Sequence, residues 1–246
     1  MIKAVIYDLD DTLYDFVKPN AHAQRKLCEE AERLLGVPAE VFEQVFIESY
    51  HAIADLVPQD VRSLLQEGER DLYAMHSRSL RLNYTLEKLQ KPLLPYAVDL
   101  YNCYWEDLLE SIRPEPHLTE TLGWLKKKGI RIGIGSNMMA RIQYRKLINL
   151  GLAEYIDFAV TSDETMFDKP DPRFFRRVLD KAGYPAEECL FIGDNLKRDY
   201  KGALGSGLHA LWYVPERLAA DKEITPDLHV LRDHADLPAI IERMDS

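Results

Sequence analysis

The sequence predicts an α/β protein, a Rossmann-like parallel sheet with helices on both faces, interrupted by an inserted α-helical domain. Three observations predict it. Short runs rich in Val, Ile and Tyr, apolar throughout rather than alternating, recur along the chain, as strands buried on both faces do. Beyond residue 114 these runs alternate with segments of helical period, the pattern of parallel crossover units. Between the first run and the rest lies a block of about a hundred residues with helical spacing, most simply an insertion into one α/β domain. Residues 1–15 and 114–246 are therefore read as the core domain and 16–113 as the helical one.

Taken in order, Ala4 to Leu9 is the first strand. The following block is rich in Ala, Leu, Glu, Gln and Arg, and Ala21 to Leu35 and Val41 to Leu56 place apolar residues at helical spacing. Pro114 and Pro116 exclude a helix and mark a stiff return linker. Leu118 to Lys128 reads as a helix closed by three lysines and Gly129, feeding a strand from Ile130 to Ile134. A helix from about Met138 to Leu150 ends at Gly151, and Asp157 to Thr161 is the next strand. Asp171 is placed to cap a helix opened by Pro172. Strands follow at Cys189 to Ile192, His209 to Val214 and Leu228 to Leu231, and Leu237 to Met244 closes the chain as a helix.

Composition narrows the function classes. With 246 residues, 46% hydrophobic, the chain suffices to build a substantial core. A formal net charge of -10 makes the average surface repel nucleic-acid backbones and anionic membrane surfaces, so neither is expected as a partner. Cys28, Cys103 and Cys189 are odd in number and contain no CxxC pair, which argues against a disulfide framework and for a reducing, cytoplasmic setting. The start of the chain does not read as a signal peptide, nor any segment as a membrane span.

In such sheets ligands sit beyond the carboxyl ends of the strands, and four of those places hold unusual polar residues. After the first strand, Asp8 and Asp10 alternate along extended chain and so can converge. Convergent carboxylates call for a cation, a shared proton or a division of labour. After the second comes Gly135-Ser136-Asn137, read as the head of a helix where N–H groups and a hydroxyl suit phosphate. The third is followed by Lys169-Pro170, the fourth by Gly193-Asp194-Asn195 with Asp199 five residues past Asp194. Each alone also reads as an ordinary turn, cap or solvated charge. Four of them in order at four strand ends do not.

Tyr7-Asp8-Leu9-Asp10-Asp11-Thr12-Leu13, Gly135-Ser136-Asn137, Lys169-Pro170 and Gly193-Asp194-Asn195-Leu196-Lys197-Arg198-Asp199 resemble the four signatures of the haloacid dehalogenase superfamily of Asp-nucleophile phosphohydrolases. The insertion between the first and second resembles the α-helical cap of the subfamily holding phosphoglycolate phosphatases and pyrimidine nucleotidases. The resemblance implies a phosphatase of small-molecule phosphomonoesters, with a nucleoside monophosphate, phosphoglycolate or a sugar phosphate as candidate substrates. Asp8 is its nucleophile, and Asp10 the acid and base, a role that calls for a carboxyl whose pKa is raised by its neighbours. Mg²⁺ is the implied cofactor, held by Asp8, the Asp10 carbonyl and Asp194. Ser136, the Asn137 N–H and Lys169 hold phosphoryl oxygens and offset charge. Asp199 orients metal waters or Lys169, with Asn195 and Thr12 as supporting residues.

Two details narrow the reaction. True dehalogenases of the superfamily lack the second acid, here Asp10, and the mutase branch usually carries Gly-Val where this chain has Asp11-Thr12. Hydrolysis is favoured, with a phosphomutase as the alternative and a non-catalytic phosphate-binding protein behind it. A receiver-type signalling module is disfavoured by length and order. Asp11 stands where relatives often have Gly and is read as a turn residue. In the cap, Tyr50, Tyr73, Tyr84, Tyr101, Tyr104 and Trp105 are read as core rather than as a base-stacking surface. His76, Arg78 and Arg81 are read as a solvated basic face, the alternative being a hold on a second anionic group. Cap closure is expected to use Tyr14 to Pro19 and Arg113 to Pro116 as hinges; unchanged deuterium exchange in both linkers on adding a phosphate analogue and Mg²⁺ counts against it.

Overall fold

The computed structural model describes residues 1–54, 78–220 and 222–245. Two compact units are formed, Met1–Phe16 with Arg113–Ser246, and Val17–Ile112.

The first unit is built on six parallel strands: β1 (Ala4–Tyr7), β2 (Arg131–Ser136), β3 (Phe158–Thr161), β4 (Cys189–Gly193), β5 (His209–Tyr213) and β6 (Val230–Leu231). Their order is β3-β2-β1-β4-β5-β6, so the sheet winds outward in both directions from the β1–β4 pair. That reversal leaves a crevice beyond the carboxyl ends of β1 and β4, where ligands of such sheets sit. The expected Rossmann-like α/β fold is observed. All four residues of β1 are buried, and side chains alternate between faces. Ala4 and Ile6 join Phe174, Phe175, Phe191 and Trp212 in one apolar cluster. On the other face Tyr7 meets His234 with ring centroids 5.9 Å apart.

The second unit contains α1 (Val17–Leu35), α2 (Ala39–Ala54), α3 (Arg78–Lys88) and α4 (Tyr96–Ser111). Apolar stripes hold it together: Ala23, Leu27, Ala31 and Leu35 of α1 and Leu100, Tyr104 and Leu108 of α4 are buried. The Tyr104 hydroxyl donates to Asn20 at 2.5 Å and His22 pairs with Asp107 at 2.7 Å, setting the start of α1 beside the later turns of α4. Tyr104 and Trp105 are core, as expected, whereas Tyr73 and His76 lie outside the described residues.

The longer helices of the first unit are α5 (Leu118–Lys127), α6 (Ala140–Asn149), α7 (Pro172–Ala182) and α8 (Leu237–Met244). Asp171 caps α7 by accepting from the Arg173 N–H at 2.8 Å. Two expectations need correction. Ser136 ends β2 and α6 opens only at Ala140, whose N–H is satisfied by the Asp163 carboxylate at 3.1 Å. Gly135 and Ser136 thus end a strand and Asn137 lies in the bend after it, so the three are not the head of a helix. The segment Tyr14 to Pro19 is not one linker, because Val17 to Pro19 belong to the first turn of α1, where proline is tolerated. Among the described residues no helix is long and apolar enough to cross a membrane.

Candidate active site

Asp8 leaves β1 with its backbone N–H bonded to Ile192 O of β4 at 2.8 Å, so the sheet itself fixes where its side chain starts. Lys169 reaches in from the loop after β3. Its ammonium donates to Asp8 Oδ1 at 2.7 Å and to Gly135 O at 2.8 Å and forms an ion pair with Asp199 Oδ1 at 2.7 Å, in a residue that is only 3% exposed. Burial lowers the pKa of Lys169, but Asp199 and Asp8 outweigh it and raise the net value, so the lysine is charged. Asn137 locks the same loop, donating to Lys169 O at 3.0 Å and accepting from the Lys169 N–H at 2.7 Å. Its side chain positions Lys169 rather than facing a ligand.

Asp199 is nearly inaccessible and lies against the backbone of Gly193, where an added Cβ would stand 2.4 Å from the Asp199 carboxyl carbon. Only glycine permits that approach. The Asn195 N–H donates to Asp199 Oδ2 at 2.9 Å, and the Asn195 side chain accepts from the N–H groups of Lys197 and Arg198, shaping the turn. Carboxylate oxygens of Asp8, Asp194 and Asp199 lie within 4.8 Å of one another. Burial, then Asp199, Asp8 and Asp11, raise Asp194 to about 8; burial likewise raises Asp8, to about 6, against the pull of Lys169. Three convergent hard oxygen donors, two of which, Asp8 and Asp194, burial disfavours as bare anions, fit a Mg²⁺-type cation.

Asp10 faces a different set of partners. It accepts from Lys146 Nζ at 2.6 Å, from the Tyr14 hydroxyl and from Gln143 Nε2 at 3.3 Å. Burial raises its pKa, but Lys146, with bonds from Lys146, Tyr14 and Gln143, more than offsets this and leaves it lowered. The sequence-based expectation that neighbours raise Asp10 is therefore corrected: in the protein alone its resting form is the carboxylate. The partners Lys146, Gln143 and Tyr14 were not singled out from the sequence, although Gln143 and Lys146 fall on the buried stripe of α6 with Ile142 and Leu147, where a lysine needs an acid. Gln143 also donates to Ser136 Oγ at 2.6 Å.

Asp11 has φ 61°, the left-handed region that explains why glycine suits this place. Its carboxylate accepts from the Phe16 N–H at 3.1 Å and from Arg217 Nη1 at 2.9 Å, which stabilises the turn. Thr12 is buried; its carbonyl accepts from His234 Nε2 at 3.0 Å, and its hydroxyl has no partner among the described residues.

Residues 2–207 match the haloacid dehalogenase-like hydrolase family. The chain belongs to that family. It is 31% identical over 247 residues to ribulose-1,5-bisphosphate 5-phosphatase of Halopiger xanaduensis, covering 96% of this chain and 99% of the relative. It is also 31% identical over 241 residues to glyceraldehyde 3-phosphate phosphatase of Methanothermobacter thermautotrophicus, covering 98% and 96%. Among solved structures, a 2-haloacid dehalogenase from Pseudomonas syringae pv. Tomato DC3000 superposes with a TM-score of 0.76 at 26% identity, covering 99% of both chains. Family members thus combine one core with different reactions, and the residues at the strand ends must discriminate between them.

Proposed function

We propose that the protein is a Mg²⁺-dependent phosphatase that hydrolyses a small phosphomonoester through an aspartyl-phosphate on Asp8. The observation that carries this reading is the charge-compensated nucleophile: Asp8 held by Lys169 at 2.7 Å, with Asp194 and Asp199 grouped beside it and a second acid, Asp10, on separate partners. The two relatives named above are a ribulose-1,5-bisphosphate 5-phosphatase and a glyceraldehyde 3-phosphate phosphatase, which makes a sugar or triose phosphate the substrate class of first choice.

Asp8, ionised and poorly solvated, attacks phosphorus, and the bond to the leaving alkoxide breaks. Asp10 supplies the proton to that alkoxide. Its lowered pKa in the protein alone means that it takes up that proton only when the anionic phosphoryl group arrives beside it and raises its proton affinity. Asp10, again a carboxylate, then removes a proton from the water that attacks the aspartyl-phosphate, releasing phosphate and Asp8. Ser136 Oγ accepts from Gln143, so its own O–H is directed to a phosphoryl oxygen, and the Asn137 N–H supplies another donor. Asp8 and Asp194 with the Asp10 carbonyl would hold Mg²⁺, which supplies charge neutralisation for the phosphoryl oxygens when bound. Asp199 holds Lys169 in place. The three cysteines are free, in keeping with a cytoplasmic enzyme.

Phosphate release with Mg²⁺ from triose, pentose and hexose phosphates, phosphoglycolate, nucleoside monophosphates and an aryl phosphate tests the reading. Wild type is expected to turn over at least one, with Asp8→Asn and Asp10→Asn each losing at least a hundredfold in kcat. Full activity of Asp8→Asn refutes the nucleophile, and phosphate transfer to a second hydroxyl instead of release makes the protein a mutase.

A further inference from the structure

Among the described residues of the helical unit, Arg78 and Arg81 have no acid beside them. Arg78 opens α3 and Arg81 follows three residues later, a spacing that puts both on one face. The Arg78 guanidinium carbon lies 3.3 Å from the centroid of Tyr104 and 5.7 Å from that of Trp105. That of Arg81 lies 3.9 Å from Phe46 and 5.2 Å from Tyr50. Ring faces orient guanidinium planes and soften their charge, but they do not accept from N–H edges. Of those edges, Arg81 Nη2 donates to Phe46 O at 3.0 Å, while Arg78 Nη1 and Arg81 Nε are buried without a hydrogen-bond partner among the described residues. Neither arginine pairs with a carboxylate among the described residues, and Asp107 on α4 is taken by His22. Burial and the neighbouring Arg78 push Arg81 down to about 10, the sign of a pair short of negative charge.

Position adds to chemistry. Lys91, just past α3, donates to Leu35 O at the far end of α1. The opposite end of α3, with Arg78, therefore lies toward the start of α1, where Asn20 bonds Tyr104. This is the end of the helical unit through which the chain comes in at Val17 and goes out at Ile112.

We propose that Arg78 and Arg81 form an anion site in the helical unit that takes an oxyanion, a phosphate or carboxylate group, between two ring-stacked guanidiniums. This corrects the sequence-based preference for a solvated basic face. Two guanidiniums present donors in a fork matched to such a group, which supplies the acceptors and the charge that the surroundings lack. The group comes either from a second anionic substituent of the substrate or from a free oxyanion.

The test uses the full chain carrying Trp124→Phe and Trp212→Phe, so that Trp105 beside Arg78 is the sole tryptophan, excited selectively over tyrosine. Inorganic phosphate is titrated in, with chloride at matched ionic strength as control. A saturable change in Trp105 emission is expected, weakened at least tenfold in Arg78→Met and weakened less in Arg81→Lys, which keeps the charge and loses the fork. Because Met removes an uncompensated buried charge, Arg78→Met is expected to unfold at or above the temperature of its parent. No saturable change, or the same midpoint in Arg78→Met, overturns the proposal. Loss of thermal stability in Arg78→Met with phosphate binding intact assigns the pair to packing alone and also overturns it. The source is read from kinetics, the one arm that rests on the phosphatase reading. If the anion is part of the substrate, Arg78→Met raises KM for a sugar bisphosphate at least tenfold relative to KM for an aryl phosphate. If it is free, that ratio stays as in wild type while the titration still separates the variants. Absence of all turnover removes the phosphatase reading and leaves the Trp105 titration to decide the anion site.

Discussion

Replacing Asp194 by Asn is expected to stabilise the metal-free protein at neutral and alkaline pH and to abolish its response to Mg²⁺. Burial beside Asp199, Asp8 and Asp11 raises Asp194 from 3.8 to about 8. Between those values the native state binds a proton that the unfolded chain does not, so stability falls as pH rises through the window and the penalty is complete above pH 8. The full interval corresponds to on the order of 5 kcal/mol. Asp194 keeps partial solvent access, and screening brings the expected widening of the gap between variant and wild type from pH 5 to pH 8 down to about 2 kcal/mol. Asn preserves shape and cannot ionise. Urea unfolding of both proteins in chelator across pH 5 to 9 measures the gap. Added Mg²⁺ is expected to reverse the order, because an ion that binds only the native carboxylates stabilises wild type by mass action. A gap independent of pH, or an equal Mg²⁺ response in Asp194→Asn, refutes the reasoning.

Lys146→Met removes the cation 2.6 Å from Asp10; kcat is expected to fall about 10- to 100-fold. The pKa that Asp10 contributes to the kcat/KM profile should move to higher pH as burial takes over its carboxyl, and an unmoved profile would show that Lys146 does not govern Asp10. Gly193→Ala drives a Cβ to 2.4 Å from the Asp199 carboxyl carbon. It should cost about 1–3 kcal/mol in urea unfolding and lower activity with it; a neutral result means that Asp199 has room to withdraw. Burial lowers His234 from 6.5 to about 4, so the unfolded chain takes up its proton first and stability is lost as pH falls from 6.5 to about 4, on the order of 3 kcal/mol in all. His234→Gln, which keeps a donor toward Thr12 O, should flatten unfolding curves over that range.

The alternation of strands and helices after residue 114 was legible because each β-run is short, apolar on both faces and followed by turn chemistry, and α8 ends where its pattern does. The grouping of Asp8, Lys169, Asp194 and Asp199 followed from one topological rule, that polar residues ending adjacent parallel strands converge. Lys146 and Gln143 escaped notice because their meaning depends on a partner more than a hundred residues away, and periodicity reports only that they share the buried stripe of α6. The end of β2 was misplaced for a related reason. Ser136 and Asn137 carry helix-capping side chains, but those side chains are committed to Gln143 and Lys169, and the helix waits for Asp163. Arg78 and Arg81 read as an ordinary basic face until the rings of α2 and α4 are seen around them.

The way the chain leaves and rejoins the sheet unit has a consequence for modularity. Glu115 N–H donates to Leu13 O at 2.8 Å and Tyr14 pairs antiparallel with Pro114, so the outgoing and returning segments are stitched to each other inside the sheet unit. Arg217 clamps the same junction, 2.9 Å from Asp11 and 2.5 Å from Glu115. An excursion of roughly a hundred residues would by itself carry a closure entropy of about 4 kcal/mol, and the stitch together with a self-supporting helical bundle meets that cost locally. Whatever is threaded between residues 16 and 113 therefore need only present two ends side by side. Helical inserts of other lengths and chemistries are expected to be tolerated at this seam.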